Sequence, residues 1–179
     1  MVILVDKNDL PIGTMDKMEA HEKGMLHRAF SVFIFNSKGE VLMQQRAHHK
    51  YHSGGLWTNT CCSHPFPGEE TLEAANRRLL EEMGMKADLN FVFKFQYKAS
   101  FNNELTEHEI DHVYVGKTDE IPHIQPDEVS DYKYMKIDEI QNSLTQHPEQ
   151  YTVWFRIIFT EFLHELSTHP ILYSVSPNR

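Results

Sequence analysis

Long apolar runs, spaced cysteines and an excess of positive charge are all missing from this sequence. No stretch reaches the ~18 consecutive apolar residues of a bilayer-crossing helix, so no membrane span is expected. The opening residues, MVILVDKNDLPIG, lack a basic segment followed by a long apolar one, and no secretory signal is expected. The only two cysteines, Cys61 and Cys62, are adjacent, a poor framework for structural disulfides. A reducing, cytoplasmic location follows. Lys and Arg number 17 against 26 Asp and Glu, for a formal charge of −9. That balance argues against a nucleic-acid binder, because neutralising a phosphate backbone needs surplus cations. A small anion held by a few converging cations stays open. Repeats, low-complexity tracts and Pro/Gly/Ser linkers are absent too, so residues 1–179 predict a single domain.

What is present is a foldable pattern. The chain is 40% hydrophobic and 11% aromatic, enough for a packed core. Residues 2–5 predict a short strand closed by the turn Asn8-Asp9-Leu10-Pro11. Phe30–Phe35 and Val41–Gln45 predict a hairpin around Asn36-Ser37-Lys38-Gly39. Leu56–Cys62 reads as extended. Leu72, Ala75, Leu79 and Met83 form an apolar stripe that predicts a helix over Thr71–Met83, with Gly84 to close it. Leu89–Tyr97 alternates as a strand, with Tyr97 on the face of Phe91, Phe93 and Phe95. Glu107–Val115 and Tyr132–Ile137 predict further strands, and Gln150–Leu166 a second long helix. Strands and helices in this order predict an α/β or α+β fold, a mixed sheet sandwiched by helices.

Three local groups suggest metal chemistry among the twelve histidines and neighbouring acids. His21 and His27 precede a strand. Cys62 and His64 share a side of an extended segment. Glu107 and Glu109 share a strand face, roughly 6–7 Å apart at the backbone. Three imidazoles and two carboxylates suit Mn²⁺, Fe²⁺ or Zn²⁺. Taken singly, His21 and His27 read as surface histidines, Glu107 and Glu109 as readily a solvated strand face as a site, and Cys62 as a small buried hydrophobe.

The segment Gly68–Met85 carries the most specific pattern, and it resembles the Nudix box, a loop–helix–loop that holds divalent metals against a diphosphate. Glu69, Arg77, Leu79, Glu81, Glu82, Gly84 and Met85 fall on box positions. Ser63 stands where the box begins with Gly. Arg78 stands where hydrolases carry Glu, which should weaken the carboxylate cluster that activates water. The flanking residues narrow the resemblance. Arg46-Ala47, Trp57-Thr-Asn-Thr-Cys-Cys62-Ser-His64-Pro65, Tyr97, Glu107-x-Glu109 and Trp154 together resemble the type I isopentenyl-diphosphate isomerases, from about Ile3 to the helix of Trp154.

That resemblance implies interconversion of isopentenyl and dimethylallyl diphosphates, in the supply of isoprenoid precursors. It implies Cys62 and Glu109 as proton-transfer groups on opposite sides of the substrate, with Tyr97 close to Glu109. It implies one Mn²⁺ or Zn²⁺ on His21, His27, His64, Glu107 and Glu109, and Mg²⁺ held partly by Glu82. Lys17, Arg46, Lys50 and Arg78 are expected to bind the diphosphate. Trp154 is expected to stabilise a carbocation, worth ~2 kcal/mol or more in a dry site. The expected partner is the small diphosphate alone, with no nucleic acid or membrane, and the protein a monomer or weak dimer. A Nudix-type diphosphohydrolase and a non-catalytic diphosphate-binding module are the alternatives. Arg78 counts against the first, and the intact set Cys62, Tyr97, Glu107 and Glu109 against the second.

Overall fold

The computed structural model describes residues 1–101 and 103–174. Among them, nine strands join one mixed sheet and five α-helices cover it. The strands are β1 (Val2–Val5), β2 (Pro11–Met15), β3 (His27–Phe35), β4 (Val41–Arg46), β5 (Trp57–Thr58), β6 (Cys61–Ser63), β7 (Asn90–Ser100), β8 (Thr106–Lys117) and β9 (Val129–Met135). The helices are α1 (Lys17–Lys23), α2 (Thr71–Met83), α3 (Ile137–Gln146), α4 (Val153–Glu161) and α5 (Leu163–Ser167). Strand β3 is the hub. It runs parallel to β8 from His27↔Glu109 to Phe35↔Lys117, and antiparallel to β1, β4 and β6. Strand β7 extends the sheet beyond β8, and β9 beyond β4.

Covering both faces makes β3 an almost continuous buried run, as expected of a central strand. Period-two alternation then sorts its side chains. Phe33 and Phe35 pack with Val113, Val115, Met43 and Phe95 beneath Ile140, Trp154, Phe155, Ile158 and Leu166 of the last three helices. Phe30, Val32 and Ile34 point the other way, onto Ala74, Ala75, Leu79 and Met83 of α2.

Helix α2 has the expected bounds, and Gly84 ends it in a left-handed conformation (φ 63°). Its buried row, however, runs Thr71, Ala75, Leu79, Met83 at i+4 steps. Leu72, expected in that stripe, is 42% exposed, because it lies about 100° round the helix from Thr71. Phe91 also departs from expectation. A shift in the β7–β8 pairing between Phe91 and Phe93 takes it off the Phe93/Phe95/Tyr97 face and sets it edge-on to His112 and Tyr114.

The expected helix over Gln150–Leu166 is broken twice. Tyr151 bridges to Trp57 and the Thr152 N–H bonds to the Trp57 carbonyl, so α4 starts only at Val153. Phe162, with φ −125° and ψ 16°, separates α4 from α5. Strand β9 stops at Met135, and Ile137 opens α3 instead of ending a strand. The stretch Leu56–Cys62 is likewise two short strands. Asn59 and Thr60 interrupt it, their side chains bonding to the backbone of Val32, Cys61, Leu42 and Ile34. Strand β2 and helices α1 and α3 are additions to the sequence reading. Helix α1 carries its own signals: Asp16 caps its first turn and Gly24 (φ 59°) closes it.

Candidate active site

The face that carries Phe33, Phe35, Val113 and Val115 changes character toward the start of both strands. Going back by twos, β3 presents Ser31, Ala29 and His27, and β8 presents Asp111, Glu109 and Glu107. One alternation therefore builds an apolar core at one end and a polar pocket at the other. Cys62, Tyr97, Glu107, Glu109, His64, Trp154, Arg46 and Lys17 all line that pocket. A second recess shares Lys17, Arg46 and Cys62 and continues to Lys50, Arg78 and Glu82.

Two histidines are oriented from behind. His21 Nδ1 lies 2.7 Å from the Lys17 carbonyl and His27 Nδ1 2.7 Å from the Met25 carbonyl. A carbonyl only accepts, so both Nδ1 atoms carry the proton and both Nε2 lone pairs face inward. His27 Nε2 is 3.2 Å from His64 Nε2 and 3.3 Å from Glu109 Oε1, and His64 Nε2 is 2.9 Å from the same oxygen. Among the described residues, His21 Nε2 is buried without a hydrogen-bond partner. Donor atoms of His21, His27, His64 and Glu109 all lie within 4.8 Å of one another. Metal bonds of about 2.0–2.2 Å separate neighbouring ligands by about 3 Å, so this donor set fits a divalent cation. Burial pushes the His64 imidazole down to about 3 despite its Glu109 contact, leaving it in the neutral, ligating form.

Glu107 sits at the margin of this group. Its carboxylate lies 3.0 Å from the Tyr97 hydroxyl and faces His52 Nε2 (3.2 Å), and it forms a second candidate triad with His21 and His52. The Tyr97 hydroxyl is also 2.7 Å from Glu109 Oε2. Burial and the nearby Glu109 charge push the Glu107 carboxyl up. Burial acts on Glu109 in the same direction, but hydrogen bonds from His27 and His64 outweigh it and hold that carboxyl low.

The two cysteines part company. Cys61 is wholly buried beneath α2, whereas Cys62 faces the pocket with Sγ 3.8 Å from the Arg46 guanidinium. Burial pushes the Cys62 thiol up to about 12, with Arg46 opposing it, so it keeps its proton at neutral pH. Trp154 is pinned by an Nε1–H bond to Asn59 Oδ1 (3.1 Å), its ring 5.4 Å from Arg46.

The four cations divide into two pairs. Among the described residues, Lys17 and Arg46 enter no ion pair and face the pocket. Arg78 pairs with Glu81 (2.9 Å), Glu82 (2.6 Å) and Glu128 (3.1 Å), and Lys50 also pairs with Glu128. Glu82 is buried, its other oxygen bonded to Gln44 (2.9 Å). Glu69 and Arg77 form a separate clamp through two bonds of 2.7 and 2.9 Å, away from the pocket.

Sequence reasoning does not single out His52, Tyr51 or Asp111, which also line the pocket. Asp111 was reachable, as the next member of the period-two series Glu107, Glu109. Burial pushes its carboxyl up to about 8, with the Glu109 charge adding to the effect against the Ser31 hydrogen bond.

Fold and box together define a NUDIX-domain protein, and the NUDIX domain family matches residues 25–155. Two solved structures share the fold: one from Deinococcus radiodurans (TM-score 0.74, 17% identity, covering 88% of this chain and 96% of that one) and the MutT protein from Methanosarcina mazei Go1 (TM-score 0.65, 20% identity, 79% and 95%). Closer in sequence are proteins named isopentenyl-diphosphate Delta-isomerase. That of Pectobacterium atrosepticum is 59% identical over 158 residues, 88% of each chain, and that of Serratia proteamaculans 50% over 161 residues, 90% of each. The chain belongs to the isopentenyl-diphosphate Delta-isomerase family within the NUDIX proteins.

Proposed function

We propose that this chain, as one domain, interconverts isopentenyl diphosphate and dimethylallyl diphosphate, with Cys62 and Glu109 as the proton-transfer groups. The observation that carries the reading is the meeting of Cys62, the Tyr97–Glu109 pair and Trp154 in one pocket beside a cationic recess. Protonation of the terminal methylene carbon leaves a tertiary cation, and loss of a proton from the carbon two bonds from the diphosphate oxygen gives the allylic isomer. Cys62 serves one of these transfers and Glu109 the other, and their roles exchange when the direction reverses. Tyr97 orients Glu109. Trp154 lends its ring face to the cation, and the buried side chains that line the pocket limit the water that could trap it.

Lys17 and Arg46, which enter no ion pair among the described residues, bind the diphosphate, and Lys50 and Arg78 bound its recess. His21, His27, His64, Glu107 and Glu109 would hold one Mn²⁺ or Zn²⁺, fixing Glu109 and making its associated proton more acidic. Glu82, one carboxylate beside a diphosphate, suits Mg²⁺, which would neutralise phosphate charge. The Arg78 pairing supports this reading over hydrolysis, because a guanidinium occupies the place where a hydrolytic cluster would need a carboxylate. The protein would act in the cytoplasm as a monomer or weak dimer, with no nucleic-acid partner. Incubation with isopentenyl diphosphate and Mg²⁺ tests the proposal through the appearance of acid-labile allylic diphosphate. Its absence with both metals supplied would sink it.

A further inference from the structure

His52 has no part in the roles assigned above, yet its side chain is almost wholly buried at the edge of the metal site. Its Nε2 lies 3.2 Å from Glu107 Oε1, and its Nδ1 lies 3.2 Å from Ser53 Oγ. A neutral imidazole has one N–H and one lone pair. The hydroxyl can donate and the carboxylate accepts, so the consistent assignment is Ser53 Oγ–H to Nδ1 and Nε2–H to Glu107. The other Glu107 oxygen lies 3.0 Å from the Tyr97 hydroxyl, whose single proton faces the closer Glu109 Oε2 (2.7 Å) as well, so the His52 N–H is the donor that Glu107 does not share with Glu109.

The surroundings fix the ring independently of that bond. It stacks on Phe101 (4.8 Å between centroids, 13° between planes) and stands edge-on to Tyr51 at 4.5 Å. The loop that follows is tightly constrained, with a left-handed Ser53 and two glycines where a side chain would not fit. Ser53 adopts φ 52° and Gly55 φ 77°, and a Cβ on Gly54 would fall 2.5 Å from the His48 carbonyl oxygen. A non-glycine residue in the left-handed region persists where its surroundings over-determine it. His52 also stands outside the four donors that converge with His27, while sharing a donor triad with His21 and Glu107.

We propose that His52 is a positioning residue of the metal site, its Nε2–H holding Glu107 in the orientation in which that carboxylate and His21 face the cation. The inference rests on the metal site of the proposed function. Its test is Mn²⁺ affinity of the full chain, measured by chelator competition for the wild type, His52→Phe and His52→Gln. His52→Phe keeps a ring to stack on Phe101 and lacks the donor; His52→Gln restores an N–H near the Nε2 position. Loss of an outer-shell partner loosens a metal by about 10–100-fold, so His52→Phe should show a weakening of that order and His52→Gln an affinity close to wild type. Unchanged affinity in His52→Phe would overturn the role. So would a His52→Gln as weak as His52→Phe, since the N–H would then be irrelevant. Should His52→Phe fail to fold by circular dichroism, His52→Gln decides alone, tight Mn²⁺ supporting the role and weak Mn²⁺ overturning it. Isomerisation by the wild type is measured in parallel. Its absence would sink the proposed function, whereas unchanged Mn²⁺ affinity in His52→Phe sinks only the role of His52.

Discussion

His27 and Glu109 are direct partners on the parallel strands β3 and β8, with Nε2 and Oε1 3.3 Å apart, although 81 residues separate them in the chain. Their contact joins two groups that look unrelated in sequence, one on each side of the box helix. His64 reaches the same oxygen from just beyond the end of β6, which pairs with β3 along the edge opposite β8. Removal of one member should therefore be felt by the rest. His64→Ala and Glu107→Gln are each expected to lose tightly bound transition metal, read by elemental analysis of purified protein. Full metal content in both variants would mean that the convergence has no metal role.

The two cysteines offer a sharper contrast. Cys62 faces the pocket and Cys61 packs beneath Ala74 and Leu79. Cys62→Ala should abolish isomerisation, while Cys61→Ala should retain most of it with a modest loss of thermal stability. Equal activities would remove Cys62 from the proton-transfer role.

Arg78 discriminates isomerase from hydrolase. It bridges Glu81, Glu82 and Glu128, so Arg78→Glu would put a fourth carboxylate among three, Glu82 and Glu128 with it in the recess. The expected outcome is a raised KM for isopentenyl diphosphate and a lower melting temperature, with no efficient phosphate release. The wild type should release no phosphate from this substrate or from nucleoside diphosphate derivatives. Phosphate release at a rate comparable to isomerisation would favour the hydrolase.

Asp111 should leave a mark on pH dependence. Its carboxyl is pushed by burial to about 8 from an ordinary value of 3.8. Between those values the folded chain binds a proton that the unfolded chain has released. The contribution to stability is thus complete below about 4 and is lost as pH rises through about 8. In metal-free protein, the melting temperature of wild type relative to Asp111→Asn should fall as pH rises across that window. A difference constant with pH would show that Asp111 is ionised throughout.

Several features were legible because they depend on near neighbours. The helix Thr71–Met83 follows from its apolar spacing and Gly84. Cys62/His64 and Glu107/Glu109 share faces because a strand alternates every residue. The same rule, carried one step further, reaches Asp111. It fails at Phe91, where a shift in pairing with Tyr114 and Val113 breaks the alternation. It fails again at Phe162, where an apolar spacing that reads as one helix spans two.

Local sequence thus determined the composition of the site, pair by pair, since backbone periodicity sets which near neighbours share a side. Only the tertiary structure decided which pairs meet. The register His27↔Glu109 depends on packing across both faces of β3, and a slip of one residue would turn His27 away from the pocket. His52 was invisible for the same reason. Its role depends on a left-handed turn at Ser53, the ring of Phe101 and the carboxylate of Glu107, which no local spacing relates.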